Sequence, residues 1–528
     1  PDDDDSQPDD DDSAPDDDDT VLDDDDSGPI SLPEDRVFND VTTAAGLPEL
    51  PPNGCGVAVA DVNGDGWPDF FLTMFGQDDH LWLNQGDGTF MKAGSSWGLN
   101  NSPSPTFSAS FADIDNDGDP DLVQGKLGVN RVLRNDGDHF TDVTEASNLG
   151  GPEQYSTVNV SWADFDNDGD LDPYLTTGEP DPKAGDAIDQ PDQLYRNDGN
   201  FVFTNLSHLI PVDNRLGAGF VTGWTDADHD GDPDLYTVND FGDVISNQMY
   251  VNEGPSSTAE WGFSVATETC SCNLADAGMG LAIGDFDRDG WQDFYTSNGA
   301  LANGDTVVGE KLLKNAGGNS FIDVTLTTNA TAAHLASDGD WERQSSWGVD
   351  FLDVDNDGWL DIFVPFGARG KPEPDALMIN RQGVDFVRHA GSGAQSMNWS
   401  MGAAVVDFDL DGCLDLIVAS RDFGGTRLYR NRCLWEHHWL QVTLQGTTSN
   451  RDAVGAVAVA QVNGLNLREE VLSNSTSAHG GRWTTLQFGL GDATVVPELR
   501  ITWPSGLVET LTDVAADQQI TLIEGDAR

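Results

Sequence analysis

The chain has 528 residues, with 93 Asp and Glu against 25 Lys and Arg and a formal net charge of −68. Such a surface repels phosphate backbones and anionic lipid headgroups, which excludes nucleic acid and anionic membranes as partners. No apolar run approaches the roughly 18 residues that a bilayer span needs, so no transmembrane segment is expected. The 58 Gly and 25 Pro favour tight turns over long helices, and 38% hydrophobic residues with 15 Trp supply a sizeable core. Five Cys are too sparse for a disulfide scaffold.

The first 28 residues repeat a seven-residue unit four times, with sixteen Asp and no Lys or Arg. Like-charge repulsion and the lack of buriable surface predict a disordered Asp-rich spacer over residues 1–29. Stretched at about 3.3 Å per residue, it reaches on the order of 90 Å. The chain opens on Pro1 rather than Met, which predicts a leader removed or left out upstream.

A nine-residue pattern, D-x-[DN]-x-D-G-x-x-D, then occurs seven times, beginning at Asp61, Asp113, Asp164, Asp226, Asp285, Asp353 and Asp407. Start-to-start spacings of 51 to 68 residues are those of propeller blades or stacked arrays. A short apolar stretch precedes each copy, as in GLAIGDF, and another follows it, as in FFLTMF. A third apolar stretch ends in Asn, at Asn84, Asn135, Asn197, Asn252, Asn315, Asn380 and Asn431. Gly-rich turns lead to a fourth that opens on Phe, as at Phe140 and Phe321. Four short strands per unit, seven times over, predict an all-β fold, a seven-bladed β-propeller over residues 30–435. The seventh unit lacks a Phe-led fourth strand, while an orphan strand opening on Phe38 precedes the first. That strand is expected to complete the last blade and leave no open edge. Residues 436–528 lose the pattern and read as a small antiparallel β-sandwich.

Carboxylates at positions 1, 3 and 5, Gly at 6 and a carboxylate at 9 suit a hard cation. Ca²⁺ takes six to eight oxygen ligands at about 2.3–2.6 Å, whereas Mg²⁺ keeps more water. Gly permits the sharp bend, and position 7 would add its backbone carbonyl. The expected ligands are Asp61, Asn63, Asp65 and Asp69 in the first loop, then Asp113, Asp115, Asp117 and Asp121 in the second. Asp164, Asp166, Asp168 and Asp172 form the third set, and Asp226, Asp228, Asp230 and Asp234 the fourth. Asp285, Asp287, Asp289 and Asp293 follow, then Asp353, Asp355, Asp357 and Asp361, and last Asp407, Asp409, Asp411 and Asp415. Asp and Asn also favour hairpin turns without a metal. Seven complete copies favour Ca²⁺, about seven structural sites, over that reading. Salt adaptation is an alternative source of the acidity.

The repeats resemble the FG-GAP or VCBS repeats of integrin α-like propellers. The run HHWLQVTLQGTTSNRDAVGAVAVAQV with LQFGLGDA and LRITWPSGLVETLTDV resembles the ASPIC/UnbV domain. Together they are similar to the cartilage acidic protein-like family over about residues 36–525. NSTSAHGGRW departs from the more aromatic, Gly-rich turn of that family.

In a four-stranded meander the Asp loop and the Asn-x-Gly turn are turns one and three, and both stay short. Turn two and the interblade link carry the length variation, so the variable loops share the opposite face, where binding usually evolves. Tyr155, Arg215, Trp341, Arg343, Arg369, Lys371 and Trp399 are the candidate contacts there. The same parity places Cys413 and Cys433 together, which predicts a disulfide, whereas Cys270 and Cys272 lack the partner cluster of a metal or redox pair. HExxH and P-loop motifs are absent, and His437-His438 opens a strand without a second His at ligand spacing. The expected function is a non-enzymatic, extracellular or surface-tethered, calcium-binding propeller that acts as an adhesion protein for protein or glycan partners. The alternative is a polysaccharide lyase-like carbohydrate-active enzyme or a lectin.

Overall fold

A computed structural model describes residues 36–47, 54–99, 104–153, 155–178, 190–211, 218–240, 245–255, 261–299, 309–332, 345–367, 373–421, 425–473 and 483–526. The Asp-rich repeat lies outside the described residues, as do Arg215, Trp341, Arg343, Arg369, Lys371 and most of NSTSAHGGRW.

Seven four-stranded antiparallel sheets follow one another along the chain. In the first blade the strands are Gly54–Ala60, Asp69–Met74, His80–Asn84 and Phe90–Lys92. Each innermost strand lies beside that of the next blade, and Gly54–Ala60 lies beside Ser400–Val406, which closes the circle. The seventh sheet takes its outer strand from the start of the described chain. Phe38–Asp40 pairs antiparallel with Arg427–Asn431, with Phe38 opposite Asn431. This is the ring closure, in which the Phe38–Asp40 strand completes the outer side of the last blade.

The innermost strands bury nearly every residue, which explains runs such as GCGVAVA and GMGLAIG with no polar alternation. Small residues let neighbouring blades approach, and the apolar clusters fill the space between blade faces. Val57, Val59, Phe70 and Leu72 of the first blade pack with Ala404, Val406 and Ile417 of the seventh.

Beyond the ring, Leu465–Glu470, Val457–Val462, Val495–Thr502 and Val508–Ala515 form one sheet in that order. Leu486–Gly491, His438–Gln445 and Gln518–Ile523 form a second. Leu440, Val442, Ala458, Leu499, Ile501 and Trp503 share one core between the two sheets. One pair departs from the expected antiparallel pattern, because His438–Gln445 runs parallel to Gln518–Ile523. A parallel pair needs a long crossover, and here the other sheet supplies it.

This sandwich packs on the Asp-loop ends of the blades. Asp113 N–H donates to Asp452 (2.8 Å), Arg451 N–H to Asn116 (2.8 Å) and Gln441 Nε2 to Asp407 Oδ2 (2.9 Å). Thr225 Oγ1 and Gln292 Nε2 both donate to buried Glu470, at 2.9 and 3.1 Å. Blades two, four, five and seven are thereby bonded to one small domain.

Candidate metal loops and the opposite face

Each Asp loop joins the first strand of a blade to the second. The local fold is repeated seven times with the same bonds. The position-1 carboxylate accepts the N–H groups of positions 5 and 6, as Asp164 does from Asp168 (2.9 Å) and Gly169 (3.0 Å). The position-9 carboxylate accepts the position-2 N–H on Oδ2 and the N–H of the strand-three Asn on Oδ1. Asp121, for example, takes Ile114 at 3.0 Å and Asn135 at 2.7 Å. The coil needs left-handed backbone twice. Gly at position 6 has φ from 85 to 102°, and position 4 is also left-handed, in Gly64, Asn116, Asn167, His229, Arg288, Asn356 and Leu410. The second of these constraints was not read from the sequence, because the residue types at position 4 vary.

The strand-three Asn has a further role. Its side-chain N–H donates to the position-2 carbonyl of the preceding blade's loop, at 2.8–2.9 Å in all seven blades. Each Asp loop is therefore bonded to its own blade through position 9 and to the next blade through this Asn.

The carboxylates crowd together. Single oxygens of Asp113, Asp115 and Asp121 lie within 4.8 Å of one another, as do those of Asp164, Asp166 and Asp172, of Asp226, Asp228 and Asp230, and of Asp285, Asp287 and Asp289. Burial, reinforced by neighbouring carboxylates, pushes Asp113, Asp164, Asp226, Asp285 and Asp407 up to about 7. Burial carries Asp69 to about 8 and Asp121 to about 9, against the hydrogen bonds that hold them down. In the sixth loop burial raises Asp353, Asp355, Asp357 and Asp361 together. In the first loop Asp65 is exposed, and Asn63 Nδ2 donates to it at 2.9 Å.

One observation tests whether such a loop fits a cation. At position 3, one oxygen each of Asp115, Asp166, Asp287 and Asp409 is buried with no hydrogen-bond partner. A buried, unpaired carboxylate oxygen is costly unless an ion meets it. All-oxygen donors in a flexible loop are what Ca²⁺ takes. The residues fit that ion.

Cys413, at position 7 of the last loop, is bridged to Cys433, with Cα atoms 5.9 Å apart. A second disulfide joins Cys270 and Cys272, two buried residues that had not been read as a pair. Cys55 is buried.

The opposite ends of the strands carry an arc of rings around the axis. Phe107 packs on Phe75, and the Arg421 guanidinium lies over both Phe75 (4.5 Å) and Trp399 (5.2 Å). Trp399 meets Trp347, which meets Phe220. Of the candidates named from sequence on this face, Trp399 belongs to the arc, and its buried Nε1 has no partner. Tyr155 is half-buried and donates its backbone N–H to the Pro152 carbonyl. Below the arc, Lys126 is buried and donates to Thr106 Oγ1 (2.6 Å), which donates to Asp79 (2.6 Å).

Among the described residues, no helix is long and apolar enough to cross a membrane. An FG-GAP-like repeat family matches residues 61–124, 125–175 and 226–296, and the ASPIC and UnbV family matches residues 446–528. Cartilage acidic protein 1 of Homo sapiens is 26% identical over 222 residues, which is 41% of this chain and 32% of that protein. The Xenopus tropicalis protein is also 26% identical, over 41% of this chain and 33% of its own length. The match thus spans about a third of these curated relatives. Among solved structures, the BP39L lectin from Burkholderia pseudomallei has a TM-score of 0.44 at 10% identity, over 73% of this chain and 98% of the lectin. Rhamnogalacturonan lyase YesW has a TM-score of 0.40 at 12% identity, over 84% of this chain and 79% of the lyase. The chain is an all-β protein of FG-GAP-like repeats followed by an ASPIC and UnbV domain, and it is similar to cartilage acidic protein 1.

Proposed function

We propose that this chain is a non-enzymatic binding protein, extracellular or tethered at a cell surface, whose propeller is held together by Ca²⁺. The observation that carries the calcium reading is the buried, unpartnered position-3 oxygen, present in four of the loops. The proposed ligands are the side chains of positions 1, 3, 5 and 9 in all seven loops. Bound Ca²⁺ would supply the positive charge that lets four close carboxylates stay ionised. An extracellular setting agrees with two disulfides, since such bonds persist in oxidising compartments, and with the ample external calcium that fills weak sites.

Binding is proposed at the aromatic arc, on the face away from the metal loops. Arg421 makes no ion pair with a carboxylate among the described residues, in a chain with a large excess of acids. A cation held over two rings, beside the unpartnered Trp399 N–H, suits a partner that offers an acidic group and a face for stacking. An acidic saccharide and an acidic loop of a protein both have that chemistry, and the former keeps a lectin as the second reading. A glycan array and a surface-proteome pull-down, each run with calcium and with chelator, test the proposal. A calcium-dependent partner that is lost in Arg421→Ala is expected. A partner bound equally by that variant would place recognition elsewhere.

A further inference from the structure

The residue before the strand-three Asn differs between blades: Leu83, Arg134, Arg196, Val251, Lys314, Ile379 and Arg430 in chain order. In two blades its cation lies on the Asp loop. Lys314 Nζ pairs with Asp287 and with Asp289 (2.9 Å), positions 3 and 5 of the fifth loop. Arg430 pairs with Asp409 (2.5 Å) and Asp411 (2.9 Å), the same positions of the seventh. Arg134 and Arg196 turn instead to Asp136 and Asp198, beyond the loop. Val251 and Ile379 bring no charge to the fourth and sixth loops.

Lys314 and Arg430 thus stand where a metal would draw its charge compensation, on two of the proposed ligands at once. Their side chains are 29% and 51% exposed, so both can leave toward solvent without opening the core. The other oxygen of Asp287 and of Asp409 stays buried and unpartnered, so the side-chain cation satisfies only the outer half of each carboxylate.

We propose that Lys314 and Arg430 are built-in counter-cations that make metal binding in blades five and seven an exchange reaction. This rests on the calcium reading above. The incoming ion must release the ammonium or guanidinium from positions 3 and 5, so these two loops are the weaker sites. Loop four binds without that exchange, and at loop six the Arg288 guanidinium lies on the Asp357 and Gly358 carbonyls rather than on the carboxylates of positions 3 and 5. The same pairs steady the metal-free loops, and blades five and seven therefore tolerate loss of the ion better than their neighbours.

Trp291 stands at position 7 of the fifth loop and serves as its own reporter, through sensitised luminescence of terbium, a calcium surrogate. The part removed by Trp291→Phe reports the fifth loop together with the adjoining fourth, on whose His229 Trp291 stacks, and only the fifth holds Lys314. Lys314→Met and Lys314→Gln, in the full chain, are each expected to tighten this terbium binding about fivefold, the size of a partly exposed ion pair or two. Both variants are also expected to melt below the parent protein in chelator, and to gain more from added calcium. A purely structural lysine would lower the midpoint in both media and leave the affinity alone. Unchanged or weaker terbium binding in both variants overturns the exchange proposal while leaving the calcium reading intact. Absence of any Trp291-dependent signal, in parent and variants alike, overturns the calcium reading itself.

Discussion

Asn84 donates its side-chain N–H to the carbonyl of Phe408, 2.8 Å away and 324 residues later in the chain. It is the closing member of a series of seven identical bonds, and it fastens the first blade to the seventh beside the Phe38–Asp40 strand. Asn84→Ala leaves the Phe408 carbonyl without its donor in a buried site. A loss of about 1–3 kcal/mol is expected. Urea unfolding of this variant, beside Asn252→Ala at an internal blade junction, measures it.

The repeat made the fold legible, because every Asp loop announces a strand on each side and a Gly at the bend. The Asn that ends strand three was visible too, yet its partner was not. That partner lies in the preceding repeat, so no local pattern encodes the contact. The left-handed residue at position 4 was hidden for a different reason. Asn tolerates that conformation readily, but His229, Arg288 and Leu410 are held in it by the surrounding loop. The seat of the sandwich on the Asp-loop face rests on scattered pairs such as Gln441 with Asp407, which no spacing rule reveals. The aromatic arc was also illegible, since its members come from the ends of strands far apart in sequence.

Lys126 depends on the carboxylate it reaches through Thr106. Burial drives its ammonium down to about 8, against the pull of Asp79. Asp79→Asn removes the compensating charge while keeping the shape, so about 3 kcal/mol or more should be lost at neutral pH. The deficit should shrink as pH rises above 8 and the lysine becomes neutral. Denaturant titrations at pH 7 and pH 9 give both numbers.

The propeller and the sandwich should unfold together. Glu470 accepts from Thr225 of blade four and Gln292 of blade five, and Trp162 N–H donates to Ser473 Oγ at 3.1 Å. Blade residues Val160, Trp162 and Leu175 share a buried cluster with Leu440, Ala458 and Trp503. A single calorimetric transition is expected, with equal van't Hoff and calorimetric enthalpies. Two separated transitions would mean that these contacts contribute little.

The metal-free protein should respond to pH in a particular direction. Asp residues held above their unfolded value favour the folded state when protonated, so their contribution is complete below about pH 4. It is lost as pH rises through about 7 for Asp113, Asp164, Asp226, Asp285 and Asp407. Stability in chelator should therefore fall between pH 5 and 8, and calcium should flatten that slope. Melting curves over this range, with and without the ion, check the sign.

The calcium-held ring is tested most directly by scanning calorimetry of the full chain at neutral pH, in calcium and then in excess chelator. An ion that binds only the folded state stabilises it by RT ln(1 + [L]/Kd) at each site, and several sites act together. A sharp fall of the midpoint in chelator, restored by returning calcium, is the expected result. A midpoint that does not move would contradict it.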